Sequence, residues 1–379
     1  MQKRVLFTTH TMDPMAGGAE RVLSLLLERA VEKFEVHVAS PLESTIAIAP
    51  RGATVHALPS FRVRPGLGGL IGAIRTMVVI NTAMVALVRQ TRPAVVHVNS
   101  LYALYFTVVP ARLAGIPIVY HEHGLPSLRQ NSLWQRGFRL LLRCVAHTIA
   151  ITGAVRDELL AAGARPTNVS VIWNGIRLED SEVRGERVPD SAVPTIGMIA
   201  NLHRWKRQDL CIRALAELSR TGVHANLLLV GLESVPSYAD ELRTLARELG
   251  VDARVEFSGF RADAQSLLRT MTCLVVASDR EPFGLVILEA MRAEVPVVAS
   301  AAGGVPEIIR HDIDGLLFPS GDWKALAREL QRVLSSGEVR ARLTAAARKT
   351  LEERFSIDVQ AGRVFSLLES VAANFGRAA

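Results

Sequence analysis

Twice along this chain, short runs rich in Val, Ile and Thr alternate with longer helical patterns, and a polar segment separates the two series. Strands spaced by helix-length segments imply parallel sheets covered by helices on both faces. The first series offers Val5–Thr9, Val36–Ala39, Thr54–Leu58, Ala94–Val98, Ile118–His121, Thr148–Ile151 and Val169–Trp173 as strands. Helix-length stretches such as Ala19–Val31 and Gly137–Ala146 lie between them. The second series offers Thr195–Ala200, Asn226–Val230, Val255–Ser258, Cys273–Ala277, Pro296–Ala299 and Leu316–Phe318. Between them, Asp180-Ser181-Glu182, Gly185 and Pro189 have the character of a linker. The expectation is an α/β chain with two doubly wound, Rossmann-like domains at 1–176 and 194–356, joined by a linker at 177–193. A C-terminal helix at 357–379 is free to pack back on the first domain. Ligands in such sheets sit beyond the carboxyl ends of the strands, so two sheets facing each other would make a cleft.

The length of 379 residues suits two domains, and 49% hydrophobic with 21% charged residues is a globular composition. Cys144, Cys211 and Cys273 are far apart and make no CxxC pair, which points to a reducing compartment and no structural metal. Met1 to Arg4 runs straight into the first strand, too short an apolar stretch for a signal peptide, so a cytoplasmic location is expected. Gly66 to Val88 is mostly apolar, but Arg75 and Asn81 interrupt it. A central Arg is costly in a spanning helix, so this segment reads as a buried or interfacial helix. Of the net charge of +7, the part up to Ile176 holds eighteen Lys and Arg against nine Asp and Glu. Between Arg51 and Arg143 eleven arginines face one acid, Glu122. Such a half could meet nucleic acid, an anionic membrane or an acidic acceptor, or simply scatter charge over a solvated surface.

The densest signal is the run Asp279 to Met291. A buried-type strand ends in polar residues, Glu281 sits on the loop, Gly284 lets a ligand approach the backbone, and Leu285 onward is good helix. The N–H groups and positive dipole end of such a helix suit a diphosphate. Glu289 lies eight positions after Glu281, and a carboxylate there can accept hydrogen bonds from two neighbouring hydroxyls, as on a ribose. An ordinary capped helix with acids in its first turn would look much the same.

Glu-x7-Glu around Pro282-Phe283-Gly284 resembles the signature of glycosyltransferase family 4, and the resemblance covers nearly the whole chain. Gly17-Gly18-Ala19-Glu20-Arg21 is similar to that family's N-terminal glycine loop, and Glu122-His123-Gly124 to its active-site histidine segment. Asn174-Gly175-Ile176 and Gly303-Gly304-Val305-Pro306-Glu307 also match. The resemblance implies the GT-B fold and a retaining transferase that uses a nucleotide-diphosphate sugar. It gives Glu289 to the ribose, and Glu281 to the transferred sugar near its reacting carbon. Backbone amides of Phe283, Gly284 and Leu285 go to the diphosphate and sugar hydroxyls, and Gly17 and Gly18 to the same phosphates. Lys206 is assigned to the leaving phosphate, and His123 to the catalytic site near the donor sugar. Where the family often carries Arg, this chain has Asn201, a weaker phosphate partner. Arg204 or Arg207 takes over, or the clamp is mostly Lys206.

His121 and His123 alternate at a strand end and could face one side, but a pair without a third ligand does not make a metal site. Asp312-Ile313-Asp314 imitates a metal-binding DxD, yet it stands between Glu307–His311, read as helix, and a strand, with Gly315 after it, so it reads as a turn. A G-x-G-x-x-G fingerprint, a G-x-S-x-G elbow and a P-loop are all missing. The expected cofactor list is empty, with a UDP-sugar as substrate and no metal. The expected partners are the donor, a glycan or lipid-linked acceptor and an anionic membrane surface at its cytoplasmic face, not nucleic acid. That surface would use Arg62, Arg64, Arg75, Arg89 and Arg92, and a helical row of Arg136, Arg139 and Arg143 beside Trp134 and Phe138 as anchors. Two other classes compete: a nucleotide-sugar epimerase on the same architecture, and a donor-binding protein without transfer activity.

Overall fold

The computed structural model describes residues 2–11, 17–41, 49–59, 67–126, 132–179 and 193–378. In chain order, the first sheet's elements are β1 (Arg4–Thr8), α1 (Gly18–Lys33), β2 (Glu35–Ser40), β3 (Thr54–Ala57), α2 (Leu67–Thr91), β4 (Val95–Val98), α3 (Leu101–Leu113), β5 (Ile118–Glu122), α4 (Ser132–Leu142), β6 (His147–Ala150), α5 (Gly153–Ala161) and β7 (Val169–Val171). The second sheet's are β8 (Thr195–Ile199), α6 (Gln208–Arg220), β9 (Asn226–Val230), α7 (Tyr238–Glu248), β10 (Val255–Gly259), α8 (Ala264–Leu267), β11 (Cys273–Val276), α9 (Leu285–Arg292), β12 (Val297–Ser300), α10 (Val305–Ile308) and β13 (Leu316–Phe318). The helices α11 (Trp323–Ser335), α12 (Gly337–Arg354) and α13 (Ile357–Ala378) end the chain.

Among the described residues the first sheet has the order β3-β2-β1-β4-β5-β6-β7 and the second β10-β9-β8-β11-β12-β13. Every pairing in both is parallel. Strand order reverses beside β1 in one sheet and beside β8 in the other, and a doubly wound sheet opens a ligand crevice at that point. The strands β4, β5, β11 and β12, at and near the reversals, are buried throughout, which suits their mostly apolar residues and leaves His97, His121 and Glu122 as buried polar exceptions.

Two compact units result, residues 1–175 with 357–379, and residues 176–356. In the first, Val5, Phe7, Val36 and Val38 meet Leu23, Leu26 and Leu27 of α1 and Val364, Phe365 and Leu368 of α13. Phe34 and Phe365 pack edge to face at 5.2 Å, and Arg29–Asp358 (2.6 Å) and Lys33–Glu369 (2.8 Å) pair at the rim. Gln360 of α13 accepts from the Gly175 N–H at 2.8 Å and donates to Asn174 at 3.3 Å, so the Asn-Gly motif is tied to the last helix. In the second unit α6, α7 and α11 cover the sheet with Leu210, Leu215, Leu242, Leu326 and Leu330.

Some expectations need correcting. The helix expected at Gly137–Ala146 runs instead over Ser132–Leu142. The N–H groups of Arg143 and Cys144 turn back to the carbonyls of Leu140 and Leu141, three residues away, and end it. Arg143 therefore lies outside the helix and does not continue a row with Arg136 and Arg139. Phe138 is buried against Tyr120, at 6.2 Å between rings, and is no surface anchor. Likewise, the helix expected at Glu307–His311 runs instead over Val305–Ile308: Pro306 starts α10 early, and the Asp314 carboxylate takes the Arg310 N–H at 2.6 Å beyond its end. Arg62, Arg64, most of the 177–193 linker and the Trp134 side chain lie outside the described residues. No helix among the described residues is long and apolar enough to cross a membrane.

Candidate functional site

In the second unit Lys206, Ser278 and the Gly303-Gly304 turn gather around one carboxylate residue, Glu281. Ser278 lies two residues past the end of β11, and the loop then reaches Glu281, which is buried. Lys206 donates to Glu281 Oε2 at 2.7 Å, and the Ser278 hydroxyl donates to the same oxygen at 2.8 Å. Ser300, at the end of β12, in turn donates to the Ser278 carbonyl at 2.5 Å. The Glu281 backbone is seated too. The Gly304 N–H donates to the Glu281 carbonyl at 2.8 Å, and a β-carbon on Gly303 would come 2.2 Å from that carbonyl oxygen. The Gly303-Gly304 motif is thus explained by close approach of backbone to backbone.

Lys206 closes a short 3-10 turn, Arg204–Lys206, after β8. The Asp279 N–H donates to the Trp205 carbonyl at 2.9 Å, which fastens that turn to the Glu281 loop. The two arginines that could replace the family Arg are both engaged. Arg204 makes a bidentate contact with Glu241 of α7 at 2.6 and 2.8 Å. Arg207, in the left-handed region at φ 60°, bridges Asp209 and Asp279, whose carboxylates hold its pKa above the ordinary arginine value. Asn201 accepts from the Leu232 N–H at 3.2 Å, a link between the ends of β8 and β9. Of these four residues, Lys206 is the one that the structure brings to Glu281.

Phe283 is buried, and Gly284, at φ 85°, is the residue from which α9 springs at Leu285. No side chain among the described residues caps that helix start; the Ile287 N–H folds back to the Gly284 carbonyl at 2.8 Å, and the N–H groups of Leu285 and Val286 are left for partners outside the helix, as at any helix N-terminus. Glu289 is buried in the second turn of α9.

In the first unit, Gly17 caps α1 and Gly18 begins it. A β-carbon on Gly17 would meet the Glu20 carboxylate at 3.1 Å, so that acid sits at the helix start. Beside it, the carboxyl ends of β4 and β5 carry three imidazoles. His121 and His123 stack at 4.1 Å, and His97 Nε2 lies 3.3 Å from His121 Nδ1. His123 Nε2 lies 2.9 Å from Asn99 Oδ1. Burial pushes the pKa of His97 down to about 3 and that of His123 to about 4, and takes His121 well below its usual value, with further help from His123 and His97. All three are neutral at pH 7. Glu122 accepts from the Tyr120 hydroxyl at 2.7 Å and the Gly124 N–H at 3.0 Å, which closes the turn that aims His123.

Asp312-Ile313-Asp314 forms a turn in which both carboxylates are held by arginines. Asp312 meets Arg332 and Arg342, and Asp314 meets Arg310 and the Thr350 hydroxyl. Ser278, Ser300, His97 and Asn99 were not singled out in the sequence. Their one available signal is position, since each is polar and lies at or just past the carboxyl end of an apolar strand, or faces one that does.

Residues 16–180 match the family model Glycosyltransferase Family 4, and residues 180–350 match Glycosyl transferases group 1. The chain is similar to a D-inositol 3-phosphate glycosyltransferase of Thermobifida fusca, 25% identical over 376 residues, covering 90% of this chain and 86% of that one. It is also similar to the N-acetyl-alpha-D-glucosaminyl L-malate synthase of Bacillus anthracis, 34% identical over 157 residues. That match spans 41% of this chain and only 40% of the relative's length. Among solved structures, Anabaena HepE in complex with UDP and glucose superposes with a TM-score of 0.78 at 25% identity, covering 97% of this chain and 100% of that one.

Proposed function

This chain belongs to glycosyltransferase family 4, and from that premise we propose that it is a retaining enzyme that moves a sugar from a UDP-sugar to a glycan or lipid-linked acceptor in cell-surface polysaccharide or glycolipid synthesis. The observation that carries the reading is the Lys206–Glu281 pair, which joins the turn after β8 to the loop leading into α9. Departure of a nucleoside diphosphate from a sugar develops negative charge on phosphate and positive charge at the anomeric carbon. A fixed ammonium beside a fixed carboxylate, next to a helix N-terminus, answers both charges without reorganisation. Glu289 receives the ribose hydroxyls, the amides of Phe283, Gly284 and Leu285 the diphosphate and sugar, and Gly17 and Gly18 approach the phosphates. His123 contacts the transferred sugar. Attack comes from the leaving-group side, with the departing phosphate oxygen taking the acceptor proton, and needs no metal. The UDP found with the Anabaena relative supports uridine as the base.

A nucleotide-sugar panel read by thermal shift tests the donor. A UDP-sugar at a hundredfold excess over its Kd should stabilise the chain by about 2.7 kcal/mol. Equal, negligible shifts across the panel, or transfer abolished reversibly by a chelator, would count against the reading.

The acceptor side rests on charge and shape. α2 packs on α3, and Arg75, Val78, Val79, Thr82, Ala86 and Arg89 recur along one exposed face of α2. α3 adds exposed Tyr102, Val109, Arg112 and Leu113, and α4 adds Arg136, Arg139 and Leu140. Apolar side chains interleaved with arginines suit an anionic lipid surface, at about 1 kcal/mol for each basic group near it. Co-sedimentation should show binding to vesicles with phosphatidylglycerol that fades in high salt. Equal binding to neutral vesicles, or none at low salt, would sink the idea.

A further inference from the structure

Asn99 follows β4 and is buried, and the two ends of its amide face different elements. Its Nδ2 points to the Ala19 carbonyl in the first turn of α1, at 3.5 Å, and its Oδ1 faces His123 Nε2 at 2.9 Å. The amide has one sensible orientation. Turned over, it would set its oxygen against the Ala19 carbonyl, acceptor against acceptor. With Oδ1 toward the ring, His123 must donate from Nε2. A neutral imidazole has one N–H, so Nδ1 is then a bare acceptor. That Nδ1 is buried and has no partner among the described residues.

We propose that Asn99 is a positioning residue that locks His123 as its Nε2–H tautomer, leaving Nδ1 to accept a hydrogen bond from a hydroxyl of the bound sugar. The assignment of that hydroxyl rests on the transferase reading, whereas the tautomer does not. The Ala19 carbonyl comes directly after Gly17-Gly18, so the backbone of the glycine loop sets the amide and the amide sets the ring. Among the described residues, the titratable groups about His123 are His121 stacked on it, His97 beyond, Glu122 held by Tyr120 and Gly124, and Glu20 at the start of α1. Burial disfavours a positive ring here, so the site keeps an acceptor rather than an acid.

The full chain labelled with 15N-histidine, with His123→Gln to assign the signals, reads the tautomer directly in long-range 1H–15N spectra. The expected result is a proton on Nε2 in the wild type, and mixed tautomers in Asn99→Ala. In Asn99→Asp, which is isosteric and serves even if the Ala variant does not fold, the ring should keep Nε2–H and titrate at least one pH unit higher. A wild-type proton on Nδ1, or an unmixed ring in Asn99→Ala, would overturn the proposal. With UDP-glucose as probe, the acid limb of kcat in Asn99→Asp should move up with the ring while KM changes less than twofold. A moved titration with an unmoved limb would overturn the role of Nδ1. A wild type that turns over no nucleotide sugar would instead count against the transferase reading, and the spectra would still decide the tautomer.

Discussion

Gly303 has φ +58°, and an alanine there would bring both left-handed strain, about 1–2 kcal/mol, and a collision with the Glu281 backbone. Gly321 has φ +82° but open space around its α-carbon. Both alanine variants should lose stability by about the same strain term, but only Gly303→Ala should also displace Glu281 and lower turnover by tenfold or more. Equal turnover in the two would show that the glycine seat does not position the carboxylate. Glu281→Gln keeps the shape and loses the charge that Lys206 meets, which should lower kcat by about 1.5–3 kcal/mol equivalent, whereas Glu289→Gln should mainly weaken donor binding. Steady-state kinetics of both variants separate the roles. At this scale the Glu281 and Gly303-Gly304 motifs were legible because their spacing is local. Ser278 and Asn99 were not, because what gives them meaning lies across the sheet: Ser300 is 22 residues from Ser278, and His123 is 24 from Asn99.

The ends of β4 and β5 carry a stability consequence. His97, His121 and His123 have folded pKa values well below the usual 6.5. Unfolding therefore takes up protons once the pH falls below about 6.5, and folded stability drops until the folded values near 4 and 3 are reached. Each ring contributes up to about 1.4 kcal/mol per pH unit in that window. Urea unfolding at pH 7, 6 and 5 should show the loss, and a His97→Phe variant should flatten it. A pH-independent midpoint would refute the burial of neutral rings. Among elements, the central strands were the easiest to read, since burial on both faces makes them mostly apolar. α4 and α10 were misplaced because their ends depend on interactions that periodicity does not carry: reversed hydrogen bonds at Leu140 and Leu141, and the reach of Asp314 back to Arg310.

Across the molecule, the sequence announced two α/β halves but not where the last helix belongs, because an amphipathic helix does not name the surface it covers. In the structure α13 completes the core of the first unit, with Val364 and Leu368 fully buried there. Leu368→Ala should cost about 2–5 kcal/mol, and thermal unfolding of the variant should show the first unit melting early. An unchanged melting profile would mean that α13 is only draped on the surface. The split core also fixes an order of events on the ribosome. Residues 1–175 emerge first, yet their apolar face over β1, β2 and α1 must wait for α13, while residues 176–356 can collapse as soon as they are made. At ordinary synthesis rates that delay is roughly 10–40 s. For that interval the nascent first unit presents an uncovered hydrophobic surface, and a chaperone that shields it, or a ribosome that stalls before α13, would decide how much of the chain ever reaches its native state.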